Sequence, residues 1–251
     1  MIDVIASEAV KTRTVRSTTA LVGSCAAAIA VGAAMALISA GVWDASTTAE
    51  RSSFGGVGDG TDVLFVVRMC LLALGILAAT SEYGSGMIRT SLTAVPARRE
   101  LVLAKACVVA ALTLVVGEIV AVLTFLASRL IIGNRAIGDL GSVTDGLPLI
   151  LSEGLAMTVI ALLGFGAGLL LKSTAGALVA MAVLLFGVPM LPLLLLPEPW
   201  GARIAAVMPS ELATELGAST HLSPLGALVA MTAWVAVALY LGVRAVARRD
   251  A

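Results

Sequence analysis

The chain has 251 residues, of which 59% are hydrophobic, 13% charged and 4% aromatic, and its mean hydropathy is +1.05. A soluble globular domain carries about 25% charged residues, so this composition excludes that class and indicates an integral membrane protein. Sixteen Lys and Arg residues balance sixteen Asp and Glu residues, so the net charge of zero gives no indication of a nucleic-acid partner.

Six apolar stretches are each long enough to cross a bilayer as a helix, which takes about 20 residues. They are rich in Ala, Leu, Val and Gly and hardly alternate with polar residues, which favours helices over the strands of a β-barrel. We therefore predict an all-α, polytopic membrane protein in which residues 1–251 form a single transmembrane domain. The predicted spans cover residues 18–42, 62–80, 101–129, 147–171, 175–196 and 224–246.

Charged residues occur inside spans 2, 3 and 4, at Arg68, Glu118 and Glu153. A charge at the centre of a membrane helix costs about 2.5–3.5 kcal/mol, so each of them needs a physical reason. At 1.5 Å per residue they lie about 21, 26 and 28 Å from one membrane edge. An arginine side chain is long enough to bridge these differences in depth. We expect a charge cluster in which Arg68 pairs with Glu118 or Glu153. Its role is either to hold three helices together or to act as a gate or substrate contact.

Spans 2 and 3 are joined by a polar and partly basic run, SEYGSGMIRTSLTAVPARRELVLAK, residues 81–105. Gly84 and Gly86 loosen the chain after span 2, and Pro96 ends the segment because the residue before a proline avoids helical geometry. The intervening residues have room for about two and a half turns of helix.

Within this run, apolar residues at 3,4 spacing share one side of the predicted helix: Met87, Ile88, Leu92 and Val95. Polar residues share the other side: Arg89, Thr90 and Thr93. The pattern predicts a short amphipathic helix at the membrane surface. Such a helix either rests in the headgroup region or inserts its apolar side into a groove of a soluble partner, and composition leaves both open.

The later spans supply no enzymatic motif. Gly164 to Gly168, followed by Lys172, lack the GxxxxGK[ST] spacing of a phosphate-binding loop, and Gly164 and Gly168 fit close helix packing instead. His221 lies in a loop and has no metal-ligand pattern around it. We expect no catalytic residue and no metal site. Pro189 and Pro192 should kink span 5, and residues 201–223 should form one or two short helices before span 6.

The distribution of basic residues predicts the orientation in the membrane. The N-terminus, the second and fourth connections and the C-terminus hold eleven: Lys11, Arg13, Arg16, Arg89, Arg98, Arg99, Lys105, Lys172, Arg244, Arg248 and Arg249. The other connections and adjoining span ends hold four: Arg51, Arg129, Arg135 and Arg203. We therefore expect a multi-pass protein of the plasma membrane with both termini in the cytoplasm.

The polar run resembles the segment E-Y-x-x-G-x-I-R-x-x-L-x-x-x-P-x-R-R of ABC-2 type transporter permeases. The matching residues are Glu82, Tyr83, Gly86, Ile88, Arg89, Leu92, Pro96, Arg98 and Arg99, followed by Lys105. Residues 7–18, SEAVKTRTVRST, resemble the family's amphipathic N-terminal helix in its actinobacterial form, and the ending RRDA at 248–251 is also similar to family members. The six spans and cytoplasmic termini agree with this family.

The resemblance implies that the segment after Gly86 is a cytoplasmic coupling helix that docks on a separate ABC ATP-binding subunit. Its expected partner-binding residues are Glu82, Tyr83, Gly86, Met87, Ile88, Arg89, Leu92, Pro96, Arg98 and Arg99. This chain would bind no cofactor, because ATP and Mg²⁺ belong to the partner ATPase. A second permease subunit, identical or different, would complete the membrane part, and the short helices before span 6 would lie on the outer face.

The expected function is export of a hydrophobic or amphipathic compound, such as a drug, an antibiotic or a lipid-like molecule, as in multidrug efflux. The alternative is a secondary transporter or a membrane scaffold without an ATPase partner. That alternative calls for ionisable residues near the midplane and a repeat between the two halves of the chain, and no convincing internal symmetry is found in the six spans.

Overall fold

The computed structural model describes residues 2–52, 54, 60–84, 98–137 and 143–248. Within these ranges the chain forms helices and no strands, and six helices are long and apolar enough to cross a membrane. The predicted fold class, an all-α polytopic protein with six spans, is confirmed.

Most spans extend beyond the predicted apolar stretches, although the helix of span 2 begins two residues later and span 5 ends one residue earlier. Five of them are single helices: span 1, Arg16–Ala45; span 2, Leu64–Gly84; span 3, Arg98–Ile132; span 4, Val143–Leu171; and span 6, Pro224–Arg248. Span 5 consists of Thr174–Ala182, a π-helical turn Val183–Gly187, and Val188–Leu195. A helix satisfies its own backbone hydrogen bonds, so it continues into the polar interface where hydropathy already falls.

Four shorter helices and one turn complete the described chain. An N-terminal helix, Ile2–Thr14, precedes span 1, a short helix, Thr48–Ser52, follows it, and a 3₁₀ turn, Thr61–Val63, precedes span 2. Between spans 5 and 6 lie two short helices, Trp200–Ala205 and Leu212–Ala218, in agreement with the one or two helices expected there.

Span 4 is the centre of the bundle. In its most apolar window, 78% of the residues are buried, against 50% for span 2 and 17% to 22% for spans 1, 5 and 6. Small residues allow the close approach of its neighbours: Gly75 of span 2 faces the backbone of Ala161, and Gly166 faces the backbone of Ala238 in span 6. Helix association in lipid depends on such contacts, because lipid tails are as apolar as the side chains.

The irregularity of span 5 follows from its prolines. Pro189 has no backbone N–H, and its ring conflicts with the carbonyl four residues earlier, so the regular pattern of α-helical bonds fails just before it. The chain responds with the π-helical turn, at whose end the Val188 N–H bonds the carbonyl of Val183, five residues back. Pro192 lies inside the next segment. The predicted disturbance of span 5 therefore takes the form of a π-helical turn.

The bundle has two ends that differ in charge. We call the first the basic end: it comprises the start of span 1, the end of span 2, the start of span 3 and the span 4–5 junction, and it carries Lys105 and Lys172. At the opposite end Arg135 Nη2 lies 2.7 Å from Asp44 Oδ2, joining the ends of spans 3 and 1. Which end faces the cytoplasm stays a prediction from the basic residues.

A buried carboxylate orders the segment that leads into span 6 at the opposite end. Glu215 is only 3% exposed and accepts hydrogen bonds from the Thr220 hydroxyl and from the backbone N–H groups of His221 and Leu222. Burial raises the pKa of the Glu215 carboxyl, but these hydrogen bonds outweigh it and hold the pKa below its ordinary value.

Candidate functional site

The predicted coupling segment lies mainly in residues 85–97, outside the described residues. This applies to six of its expected partner-binding residues: Gly86, Met87, Ile88, Arg89, Leu92 and Pro96. The two helices that lead into the segment are described. Glu82 and Tyr83 belong to the last turn of span 2, and Arg98 and Arg99 begin span 3.

The end of span 2 is attached to the junction of spans 4 and 5. Thr80 is 4% exposed, and its hydroxyl lies 2.8 Å from that of Thr174, the first residue of span 5. One turn further along, the Lys172 Nζ lies 5.1 Å from the centre of the Tyr83 ring, within range of a cation–π contact. Two contacts on successive turns therefore link span 2 to this junction.

The junction itself is short and conformationally restricted. Lys172 has φ +52°, in the left-handed region, and Ser173 caps span 5 by accepting a hydrogen bond from the Gly176 N–H at 3.2 Å. Only Lys172 and Ser173 separate spans 4 and 5, so both spans share the attachment to the end of span 2. Motion of the span 2 end would therefore reach spans 4 and 5 together.

The start of span 3 is attached to the N-terminal helix. Glu8 is 4% exposed, and its carboxylate lies 2.9 Å from Lys105 Nζ and 2.8 Å from Lys11 Nζ. Burial raises the pKa of Glu8, but the hydrogen bonds and charges of the two lysines outweigh it and hold the pKa below its ordinary value. The carboxylate is therefore ionised at neutral pH, which keeps the N-terminal helix fixed against span 3.

The charged residues within the spans form a pair and a separate carboxyl group. Arg68 Nη2 lies 2.5 Å from Glu153 Oε2, and both side chains are less than 20% exposed. Glu118 packs against Gly154, where an added Cβ would come within 2.6 Å of Glu118 Oε1, and its Oε2 is buried without a hydrogen-bond partner in the described part of the chain. Of the two pairings left open by the sequence, the structure contains the one between Arg68 and Glu153.

Several connections at this site were not foreseen from the sequence. From the sequence, Lys105 and Lys172 are basic residues that indicate the orientation, and Thr80 and Thr174 carry no signal of a contact. The partners are far apart in the chain: Lys105 and Glu8 are separated by 97 residues, and Thr80 and Thr174 by 94. A local sequence pattern does not indicate contacts over such separations.

A comparison with protein families supplies the missing context. The family model described as ABC-2 family transporter protein matches residues 4–191, from the N-terminal helix through most of span 5. The chain belongs to the ABC-2 transporter family. A comparison with curated proteins gives no match.

Membership in the ABC-2 family identifies the chain as an ABC permease, a multi-pass membrane subunit that is not itself catalytic. It also implies association with an ABC ATP-binding subunit. The matched residues include the polar run, the two helices that flank it and the Arg68–Glu153 pair, so the features described above lie within the family region.

Proposed function

We propose that this ABC-2 permease is the membrane-spanning subunit of an ATP-driven exporter. It has both termini in the cytoplasm and takes a hydrophobic or amphipathic compound from the cytoplasm or inner leaflet. A second permease subunit completes the path, and a partner ATPase binds ATP and Mg²⁺. The observation that carries the proposal is the family match, which includes the polar run. The two helices that flank the run are each attached to another helix, span 2 to the start of span 5 and span 3 to the N-terminal helix.

The orientation is supported by charge. Lys105 and Lys172 lie at the end of the bundle where the polar run connects spans 2 and 3, and the positive-inside rule assigns that end to the cytoplasm. An ATP-binding subunit can reach the run only from that side. The proposed orientation and the proposed partner are therefore mutually consistent.

The attachments explain how work done on the polar run would reach the spans. A force on the run acts on the end of span 2 and the start of span 3. The Thr80–Thr174 and Tyr83–Lys172 contacts pass it to spans 4 and 5, while Lys105 and Glu8 pass it to the N-terminal helix. In this scheme, the expected partner-binding residues between Glu82 and Arg99 contact the ATPase, and the attachments convert its closure into movement of whole helices.

The proposal is tested with the complex of this chain and the ABC ATPase that co-purifies with it, reconstituted in liposomes. Leu92→Asp places a charge on the apolar side of the predicted coupling helix. We expect insertion to be unchanged, while ATP hydrolysis no longer responds to the permease and transport stops. Thr93→Asp is the matched control: it adds the same charge one residue away, on the predicted polar side, and should leave coupling intact.

Two outcomes would contradict the proposal. One is coupled transport in Leu92→Asp at the level of the unaltered complex. The other is purification of this chain in a stable form that contains no ATPase subunit, which would favour a secondary transporter or a scaffold.

A further inference from the structure

Two cavities lie side by side at the opposite end of the bundle, separated by Phe65 and Arg68 of span 2, which line both. The larger, about 340 Å³, lies between spans 2 and 5 and the short-helix region before span 6. The smaller, about 290 Å³, lies between spans 2, 3 and 4 and contains Glu153. Small-molecule sites typically measure about 300–1,000 Å³, so the larger cavity can hold a small organic ligand by itself.

The wall of the larger cavity is aromatic and rich in methionine. The Phe65 ring of span 2 and the Phe186 ring of span 5 are in contact, with centroids 5.7 Å apart and planes tilted by 50°. Met69 and Met190 also line it, together with Pro189, which follows the π-helical turn of span 5. Aromatic faces attract cations, and methionine side chains adapt to ligands of different shape.

The charge around the two cavities is negative. Three carboxylates, from Asp62, Glu153 and Glu211, line them against one guanidinium, Arg68, which leaves a net charge of −2. Arg68 is neutralised by Glu153. Glu211 lines the larger cavity, and among the described residues its carboxylate has no ion pair and no side-chain hydrogen bond.

Two polar atoms at the larger cavity lack partners. Ser210 Oγ and Arg68 Nε are buried, and within the described ranges neither has a hydrogen-bond partner, although both residues line the cavity. Leaving a buried polar atom unsatisfied costs about 1–3 kcal/mol. A polar group of a molecule bound in the cavity would supply the missing partner.

From this combination we infer that the larger cavity binds amphipathic organic cations, with the apolar body against the Phe65 and Phe186 rings and the positive group next to Glu211. The inference rests on the proposed function, because it assigns this class of molecule to the cargo of the exporter. Ser210 and the Nε of Arg68 serve polar substituents of the ligand. Neutral and anionic compounds of the same shape gain nothing from Glu211, and anions are also repelled by the net negative charge.

The experiment compares two probes of matched size and shape and of opposite charge. Equilibrium binding of radiolabelled tetraphenylphosphonium and of tetraphenylborate is measured on the purified full chain in nanodiscs, with empty nanodiscs subtracted. We expect saturable binding of the phosphonium and at least tenfold weaker binding of the borate. Glu211→Gln and Phe186→Ala should each weaken phosphonium binding about three- to tenfold, because each removes one attraction for the cation.

Glu198→Gln is the control variant, since Glu198 is an exposed carboxylate before the same pair of short helices and does not line either cavity. It should leave binding unchanged. The inference is overturned by the absence of saturable phosphonium binding, by equal binding of the borate, or by equal effects of Glu198→Gln and Glu211→Gln. Because the assay contains no ATPase, these results are independent of the coupling experiment, and either proposal can fail without the other.

Discussion

The close contact between spans 2 and 4 at Gly75 allows a quantitative test of the packing. A Cβ built on Gly75 would lie 2.8 Å from the carbonyl carbon of Ala161 and closer still to its oxygen. Ordinary van der Waals contact begins at 3.4 Å, so Gly75→Ala must move the two helices apart by at least 0.6 Å (3.4 minus 2.8 Å). The atoms in the way are backbone atoms, so a change of rotamer cannot relieve the conflict.

The expected cost follows from this displacement. A radial gap of 0.5–1 Å forfeits about a quarter to a half of the dispersion energy of each contact across it. The affected interface contains fully buried side chains such as Leu71, Ile76 and Phe165. Overpacking of a tight core costs about 1–3 kcal/mol, and we expect Gly75→Ala to lower the free energy of unfolding by about 3 kcal/mol.

Unfolding is measured by titration with SDS in mixed micelles, followed by tryptophan fluorescence. Gly41→Ala in span 1 is the matched control, since an added Cβ there meets no atom within 4 Å. It should unfold at the same SDS fraction as the unaltered chain or a higher one, because alanine favours a helix over glycine by about 1 kcal/mol. Equal unfolding of Gly75→Ala and Gly41→Ala would refute the contact between spans 2 and 4.

Three further predictions concern charged groups. Replacing Lys105 with Ala should lower the free energy of unfolding by about 1.5–3 kcal/mol. The depressed pKa of Glu8 means that this contribution is complete above pH 4.5 and lost as the pH falls through the folded-state pKa, so SDS titrations of Lys105→Ala and the unaltered chain should converge in acid. Arg68→Ala should cost about 3–5 kcal/mol in the same assay, and adding Glu153→Gln should restore part of it; a double variant less stable than Arg68→Ala would argue against the pair. Glu215→Ala should speed hydrogen exchange at the backbone amides of the two residues that follow Thr220, because it removes the acceptor of both, and unchanged exchange would contradict the role of Glu215 there.

The predicted site was only partly accessible from the sequence. Depth in the membrane follows from counting residues along each span, and the Arg68–Glu153 pair joins two residues that this count sets at similar depths. Rotation about the helix axis does not follow from such a count. Only the packed bundle turns Glu153 towards Arg68 and sets Glu118 against Gly154, one residue further along span 4.

The sequence by itself determined the class of protein, the number of spans and the family. Each of these follows from a local property: about twenty consecutive apolar residues make a membrane helix, and the motif in residues 82–99 is contiguous. The tertiary structure decided that span 4 is central, that Glu8 meets Lys105, and that a cavity opens beside Phe186. In a bilayer both the lipid-facing and the buried sides of a helix are apolar, so hydropathy cannot distinguish them, and the partners of each helix are selected by close packing and a few polar contacts.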